Sequence, residues 1–220
     1  MSSSHFASAV VPPKPMKKSD AYHHGNLRLA LLDAARELME DSGIESLTLR
    51  EVARRAGVSP SAPYHHFKDK ADLIRELVSH GFQCLDRASH EAIRGKMIPQ
   101  EKLQAIGVTY VMYAVQHPAE FRLMFRPEMG SPLEDENPTC TPVFRVLLQV
   151  IDEFQFVWRD RNTAAISVWS LVHGLASLLV DGPLHSMTAD LETVHALAVQ
   201  VTSAIDLADS KFKGETIKSS

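Results

Sequence analysis

Thr48 to Phe67, TLREVARRAGVSPSAPYHHF, holds the side chains whose types and spacing point to chemistry. Ser61, Ala62, Tyr64, His65 and His66 fall within about two helical turns, rich in hydrogen-bond donors and free of carboxylates. That composition suits a phosphate backbone and the base edges of a duplex. Arg54 and Arg55 read as a solvated face. His66 points the same way as Ala62, so it meets either a phosphate or the packed domain.

Two short helices joined by a tight turn must position these groups. Leu49, Val52, Ala53 and Ala56 make an apolar stripe at three- and four-residue spacing, leaving Arg50, Glu51, Arg54 and Arg55 to solvent. Thr48 with Glu51 forms a capping box at the start. Gly57 permits the left-handed backbone that stops this helix, and the small Ala53 allows close crossing. Ser59 offers an N-cap and Pro60 a preset first position, so a second helix begins three residues later and crosses steeply. Pro63 lies near the fourth position of that helix, where a backbone N–H is missing, and predicts a tight or distorted start. A helical hairpin packed within a core fits the same spacing.

GVSPSAPYHHFKDKADLI, from Gly57 to Ile74, preceded by LRLALLDAARELMEDSGIESLTLREVARRA, resembles the TetR-type transcriptional regulators. The likeness covers residues 22–80 and includes Ala34, Ala35 and Leu38 in a first helix, a Gly43 stop, the Leu47–Thr48 entry and Lys70 opening the next helix. It implies that Thr48, Tyr64 and Lys70 touch phosphates, while Arg50, Ser61 and His65 lie near base edges; Ser59 and His66 complete the candidate DNA-binding set. Arginine pairs bidentately with guanine, and a short recognition helix presents few side chains, so Arg50 entering from the preceding helix adds specificity.

Composition is that of an ordinary soluble protein, and nothing in it suggests a membrane span. The net charge of −4 divides unevenly: residues 14–80 hold eleven Lys and Arg against ten Asp and Glu, the rest twelve against seventeen. Residues 1–21, with Pro12, Pro13, Pro15, Lys17 and Lys18, read as a disordered arm whose lysines, Lys14 included, either contact DNA or stay solvated. No positive residue precedes its short apolar stretch, so a secretory signal is not expected and the cytoplasm is. Cys84 and Cys140 are too few for a disulfide framework. Cys84, on the helix leaving the DNA-binding region, is either a packed side chain or a thiol sensor. The eleven histidines show no HxxxH or HExxH spacing, and no GxSxG, P-loop or dinucleotide turn is present, so neither metal, cofactor nor enzyme chemistry is expected.

Downstream the pattern stays helical: Asp69 to Arg94, Glu101 to Gln116, Pro118 to Phe125, Val143 to Arg159, Thr163 to Val180 and Thr188 to Ala208, with a mobile surface loop from Pro127 to Pro142. The expected fold is all-α, an N-terminal three-helix domain with its helix-turn-helix at 48–67, a C-terminal helical effector-binding and dimerisation domain at 81–210, and a tail at 211–220. Ile166, Trp169, Val172, His173, Ala176, Leu179 and Val180 stripe one helix, and Val194, Leu197, Ala198, Val201, Ile205 and Ala208 the last. Such faces pair either with their own chain or across a two-fold axis as a four-helix bundle.

The Trp169–Gly174 segment and His117–Phe125 resemble the WHG-type subgroup of the family, in which C-terminal helices surround an effector cavity. The resemblance places Tyr110, Tyr113, His117, Phe121, Met124, Phe125, Trp169 and His173 near a small, mainly apolar effector. It implies a homodimeric, ligand-responsive repressor on a palindromic operator, half-sites about 34 Å apart. A helical small-molecule binder without DNA readout, or an all-helical metal-dependent enzyme, are the alternatives from other classes.

Overall fold

The computed structural model describes residues 27–126, 141–154 and 161–205, and every regular element among them is helical. The expected arm at 1–21, the expected tail at 211–220, Cys140, Ala208 and all but the last two residues of the expected Pro127–Pro142 loop lie outside the described residues; those two, Thr141 and Pro142, begin a helix. In chain order the helices are α1 (Leu27–Ser42), α2 (Leu49–Ala56), α3 (Lys70–Ile93), α4 (Pro99–Gln116), α5 (Pro118–Met124), α6 (Thr141–Asp152), α7 (Arg161–Val180) and α8 (Leu191–Ser203).

The first three helices make a small bundle. Leu31, Leu38, Leu49, Val52 and Leu73 are buried in it, as the stripes require. Thr48 Oγ1 accepts from the Glu51 N–H at 3.1 Å, but the Glu51 carboxylate turns to Arg54 Nε at 2.8 Å and not back to the cap, so only half of the expected capping box forms. Gly57 takes φ +70°, and the Val58 N–H reaches the Ala53 carbonyl at 3.0 Å, closing the helix with a left-handed residue as its sequence predicts.

The second helix is tight, as Pro63 leads one to expect, but its start and type differ. It is a single 3₁₀ turn, Ala62–His65, in place of an α-helix capped by Ser59 and opened by Pro60. Ser59 and Pro60 belong to the turn before it, where the Ser59 carbonyl accepts from Ala62 N–H at 3.0 Å. The cause is Pro63, which has no N–H to return to Ser59 in the α pattern. The 3₁₀ bonds Tyr64 N–H to Ser61 and His66 N–H to Pro63 take over.

α3 starts on Asp69, whose carboxylate accepts from Asp72 N–H at 2.7 Å, and runs 24 residues from the small bundle into the larger one. There it packs on α4, α5 and α6, while α4 packs on α7 and α8. α6 ends at Asp152, seven residues short of the expected Arg159: Glu153 and Phe154 form a turn, and the residues after them lie outside the described ones. α8 begins at Leu191, three residues later than expected, because Asp190 is the cap: its side chain accepts from the Glu192 N–H at 3.1 Å and the Thr193 hydroxyl at 2.6 Å. Thr188 sits in the preceding 3₁₀ turn.

The stripes expected to meet a second chain are largely spent inside this one. Val172, Ala176, Leu179, Val180, Val194 and Ala198 are all buried, because α4 and α8 cover them within the protomer. Ile166 of that set stays exposed, joined by Leu171, Leu178 and Leu191. α7 is also long and apolar enough to cross a membrane, a feature the composition did not suggest, yet eight of its residues are buried against neighbouring helices as in a core helix.

Gly57→Ala places a side chain in a left-handed backbone with nothing within 4 Å of the new Cβ, so strain alone acts. It should cost about 1 kcal/mol, read as a lower urea midpoint with unchanged slope.

Candidate functional site

Two sites emerge, one on the small bundle and one inside the large one. On the first, Thr48, Arg50, Ser59, Ser61, Tyr64 and His65 are exposed, Tyr64 at 60% despite its large ring. The Ser59 and Ser61 hydroxyls lie 3.2 Å apart. Arg54 is held by Glu51, and Arg55 pairs with Asp41 at 2.8 Å and Glu37 at 3.6 Å, so both are committed within the fold. Arg50 has no such pair among the described residues and is free to reach outward. Lys70 is half-buried with Nζ donating to the Ile44 carbonyl at 3.3 Å, which anchors its stem while leaving further N–H donors available. His66 is half-buried, its ring 6.4 Å from Phe67, and leans toward the packed domain. Lys68, exposed between the recognition turn and α3, was not singled out from sequence, because an isolated surface lysine carries no spacing signal.

On the second, aromatic rings converge between α3, α4, α5 and α7. Phe125 meets Phe82 edge-on at 5.5 Å and His173 at 4.8 Å; Trp169 lies 5.2 Å from His173. Trp169 Nε1 donates to the Tyr110 hydroxyl at 3.2 Å, and that hydroxyl meets His173 Nδ1 at 2.7 Å. Burial pushes the Tyr110 phenol up and the His173 imidazole down, so both groups are neutral where they meet.

Beside this cluster runs a cavity along the seam of two hydrophobic cores. Phe82, Tyr110, Phe125 and Val172 belong to one wall and Leu103, Ile106, Phe144, Leu147 and Val168 to the other, with Trp169 packed on both. No charged side chain lines it. Its free space is about 30 Å³, enough for a water or two and far below the roughly 300 Å³ of a small-molecule site. The structure therefore shows the cavity closed.

Of the residues assigned to the effector from sequence, Tyr110, Phe125 and Trp169 line the cavity. Phe121, Met124 and His173 stand behind them in the packed shell. Tyr113 and His117 do not: Tyr113 donates to Glu120 Oε2 at 2.7 Å, in a polar knot closer to α1 and α3. They lie on the same side of α4 as Tyr110 but one and two turns further along, Tyr113 three residues on and His117 seven, just past the helix end, and sequence spacing alone cannot tell which turn of a buried helix opens on a void. The aliphatic lining was missed for the same reason. No group of three or more His, Cys, Asp or Glu side chains able to hold a metal occurs among the described residues.

Comparison with known proteins bears on both sites. Residues 31–77 match the bacterial regulatory proteins of the tetR family, and residues 103–202 match the tetracyclin repressor-like C-terminal domain. An uncharacterized HTH-type transcriptional regulator of Haemophilus influenzae is 32% identical over 106 residues, 47% of this chain and 51% of that protein. The chain thus matches about half the length of that relative. A protein of unknown function from Rhodococcus superposes with a TM-score of 0.67 at 27% identity, over 85% of this chain and 99% of that one. The transcriptional regulator FadR from Bacillus subtilis, in complex with stearoyl-CoA, superposes at 0.60 with 17% identity, over 81% and 99%.

His117 and His173 are both held below the ordinary histidine range by burial. A lowered folded value means the unfolded chain binds more protons, so stability is complete above about pH 6.5 and falls as the solution is acidified through the lowered values. His80, pushed up to about 9, acts in the opposite sense, so the test is by difference: in thermal melts His173→Gln, which cannot charge, should lose less Tm than the native protein on going from pH 7.5 to 5.5.

Proposed function

The chain belongs to the TetR family of bacterial regulatory proteins, and from that premise we propose that it is a cytoplasmic, sequence-specific transcriptional regulator without enzymatic activity, a ligand-responsive repressor that binds a palindromic operator as a homodimer. The observation that carries this reading is the exposed face around the recognition turn. There Tyr64, Ser61, His65 and Arg50 point outward while the neighbouring Arg54 and Arg55 are tied down by carboxylates. In this reading Thr48, Tyr64 and Lys70 meet phosphates, Ser59 and His66 flank them, and Arg50, Ser61 and His65 approach base edges.

The effector is a mainly apolar molecule whose buried end is uncharged. Support comes from the charge-free wall of the cavity and its lone Tyr110 hydroxyl, since a buried ion without a partner is costly. A long acyl chain, such as the one on the thioester bound by FadR, has the right chemistry for such a wall. Because the cavity is closed here, ligand binding must select a more open state, and only a difference in affinity between the two states can shift the balance. Moving it from about 99:1 to 1:99 takes roughly 5.5 kcal/mol of preference.

The dimer face is reassigned from the buried stripes to the outer side of α7. Leu171 and Leu178, seven residues apart, are 40% and 44% exposed, and Gly174 lies between them with open space where a Cβ would point. Apolar side chains flanking a glycine suit the close approach of a second helix.

Tyr64→Ala and Lys70→Ala should weaken binding to duplex DNA of any sequence, Lys70→Ala alone of the two lowering the log–log salt slope by about 0.9 because only it removes a cation, whereas Arg50→Ala should also reduce discrimination between sequences. Fluorescence anisotropy across a salt series reads both, and unchanged affinity in all three variants excludes this face. Leu171→Asp with Leu178→Asp should give a folded monomer by light scattering, because two desolvated carboxylates oppose the interface; a persisting dimer rules out the outer side of α7.

A further inference from the structure

Midway along α3, away from the cavity and the recognition turn, is a cluster that neither site uses. Cys84 Sγ lies 3.6 Å from His80 Nε2 and 3.7 Å from Nδ1, one turn earlier on the same helix, and accepts a hydrogen bond from the Arg87 guanidinium at 3.2 Å. Behind the imidazole stands Glu120 of α5, fully buried, with Oε1 3.9 Å from His80 Nδ1. Tyr113 occupies the other carboxylate oxygen at 2.7 Å, while Oε1 has no hydrogen-bond partner. The charge that compensates that orphaned oxygen is therefore the one His80 carries.

The remaining ionisable groups around the cluster come from every helix packed on it. Arg36 and Glu40 face it from α1, His117 and Tyr113 from α4, and Arg87 from α3 itself. The Cys84 sulfur and then the nearby Glu120 carboxylate push His80 up to about 9. Burial pushes the Cys84 thiol up, but His80 and Arg87 outweigh it and hold it below its ordinary value. A sulfur beside a charged imidazole that a buried carboxylate orients is the arrangement that activates a cysteine nucleophile. A cysteine kept only for packing needs neither partner.

We propose that Cys84 is a modification site, a nucleophilic sulfur that adds to small α,β-unsaturated carbonyl compounds. A sulfur lone pair forms the C–S bond at the β-carbon, the C=C π pair moves to the α-carbon, and the His80 imidazolium delivers its proton there. Nothing is oxidised and no group leaves. The product is a neutral thioether, and the imidazole regains its proton from water beside Glu120. Cys84 is half-buried and Arg87 exposed, which leaves the sulfur open to a small reagent from the Arg87 side. The site holds whether or not the recognition turn binds DNA.

The test is the rate of N-ethylmaleimide addition to the full chain carrying Cys140→Ser, followed by intact mass from pH 5.5 to 8.5. The native protein should show its inflexion below the ordinary thiol value of roughly 8.5. His80→Asn should return the inflexion to that value and slow the reaction at pH 6.5 about tenfold. The same protein unfolded in urea supplies the ordinary profile within one experiment and needs no folded variant. A native inflexion matching the unfolded one, no reaction at Cys84, or a folded His80→Asn protein with the wild-type profile overturns the proposal.

Discussion

A carboxylate with no exposure at all sets the constraint on which the junction of the two bundles depends. Glu120 can stay buried only if its charge is matched, and the matching groups come from different helices: the Tyr113 hydroxyl of α4 and the His80 ring of α3. Gly81 makes the approach possible. A Cβ there would stand 2.7 Å from Met124 Sδ and 3.2 Å from Glu120 Cγ, so α5 lies against α3 at a distance only glycine permits. Glu40 of α1 adds a second tie, its carboxylate accepting from the Ala119 and Glu120 N–H groups at 3.2 and 3.4 Å and so capping α5 from the small bundle.

α5 therefore answers to both ends of the molecule. Its seven residues carry Glu120 into the polar knot, and Phe125 just beyond them forms part of the cavity wall. α3 likewise begins at the recognition turn and continues past Cys84 into the larger core. Opening the closed cavity has to displace one of its walls, and a shift of the wall that holds Phe125 pulls on Glu40 and on His80 together. Packed interiors adjust by moving such elements as units, not by deforming continuously. In the proposed repressor this is the path by which a ligand changes the aim of Tyr64 and its neighbours.

The fold was legible where local chemistry and burial agreed. Thr48 and Gly57 cap and stop a helix through backbone groups that their own side chain or lack of one decides, and both are legible in the sequence; Asp69 is expected inside the helix it in fact caps. Pro63 marks the second helix as tight, but the sequence does not show that one missing donor converts the whole segment to a 3₁₀ turn, leaving Ser59 and Pro60 in the turn before it. Thr188 lost the start of α8 to Asp190, a stronger cap two residues away. The apolar stripes of α7 and α8 were seen, but periodicity gives a buried face without saying which chain buries it; the answer came from α4, far away in sequence. The cavity was half legible for the same reason. Aromatic Tyr110, Phe125 and Trp169 stood out, whereas Leu103, Ile106 and Val168 are indistinguishable in sequence from ordinary core. The Cys84–His80–Glu120 cluster could not be assembled beforehand, since only the packing of α5 on α3 brings Glu120 to residues some forty positions earlier.

The central claim is that the exposed face around Tyr64 reads DNA in two symmetric copies, and selection of the purified chain against a random-sequence duplex pool tests it most directly. The account predicts an enriched palindrome whose half-sites are centred about one helical turn, roughly 34 Å, apart or a multiple of it. A pool left unenriched, or a single half-site with no symmetric mate, would contradict it.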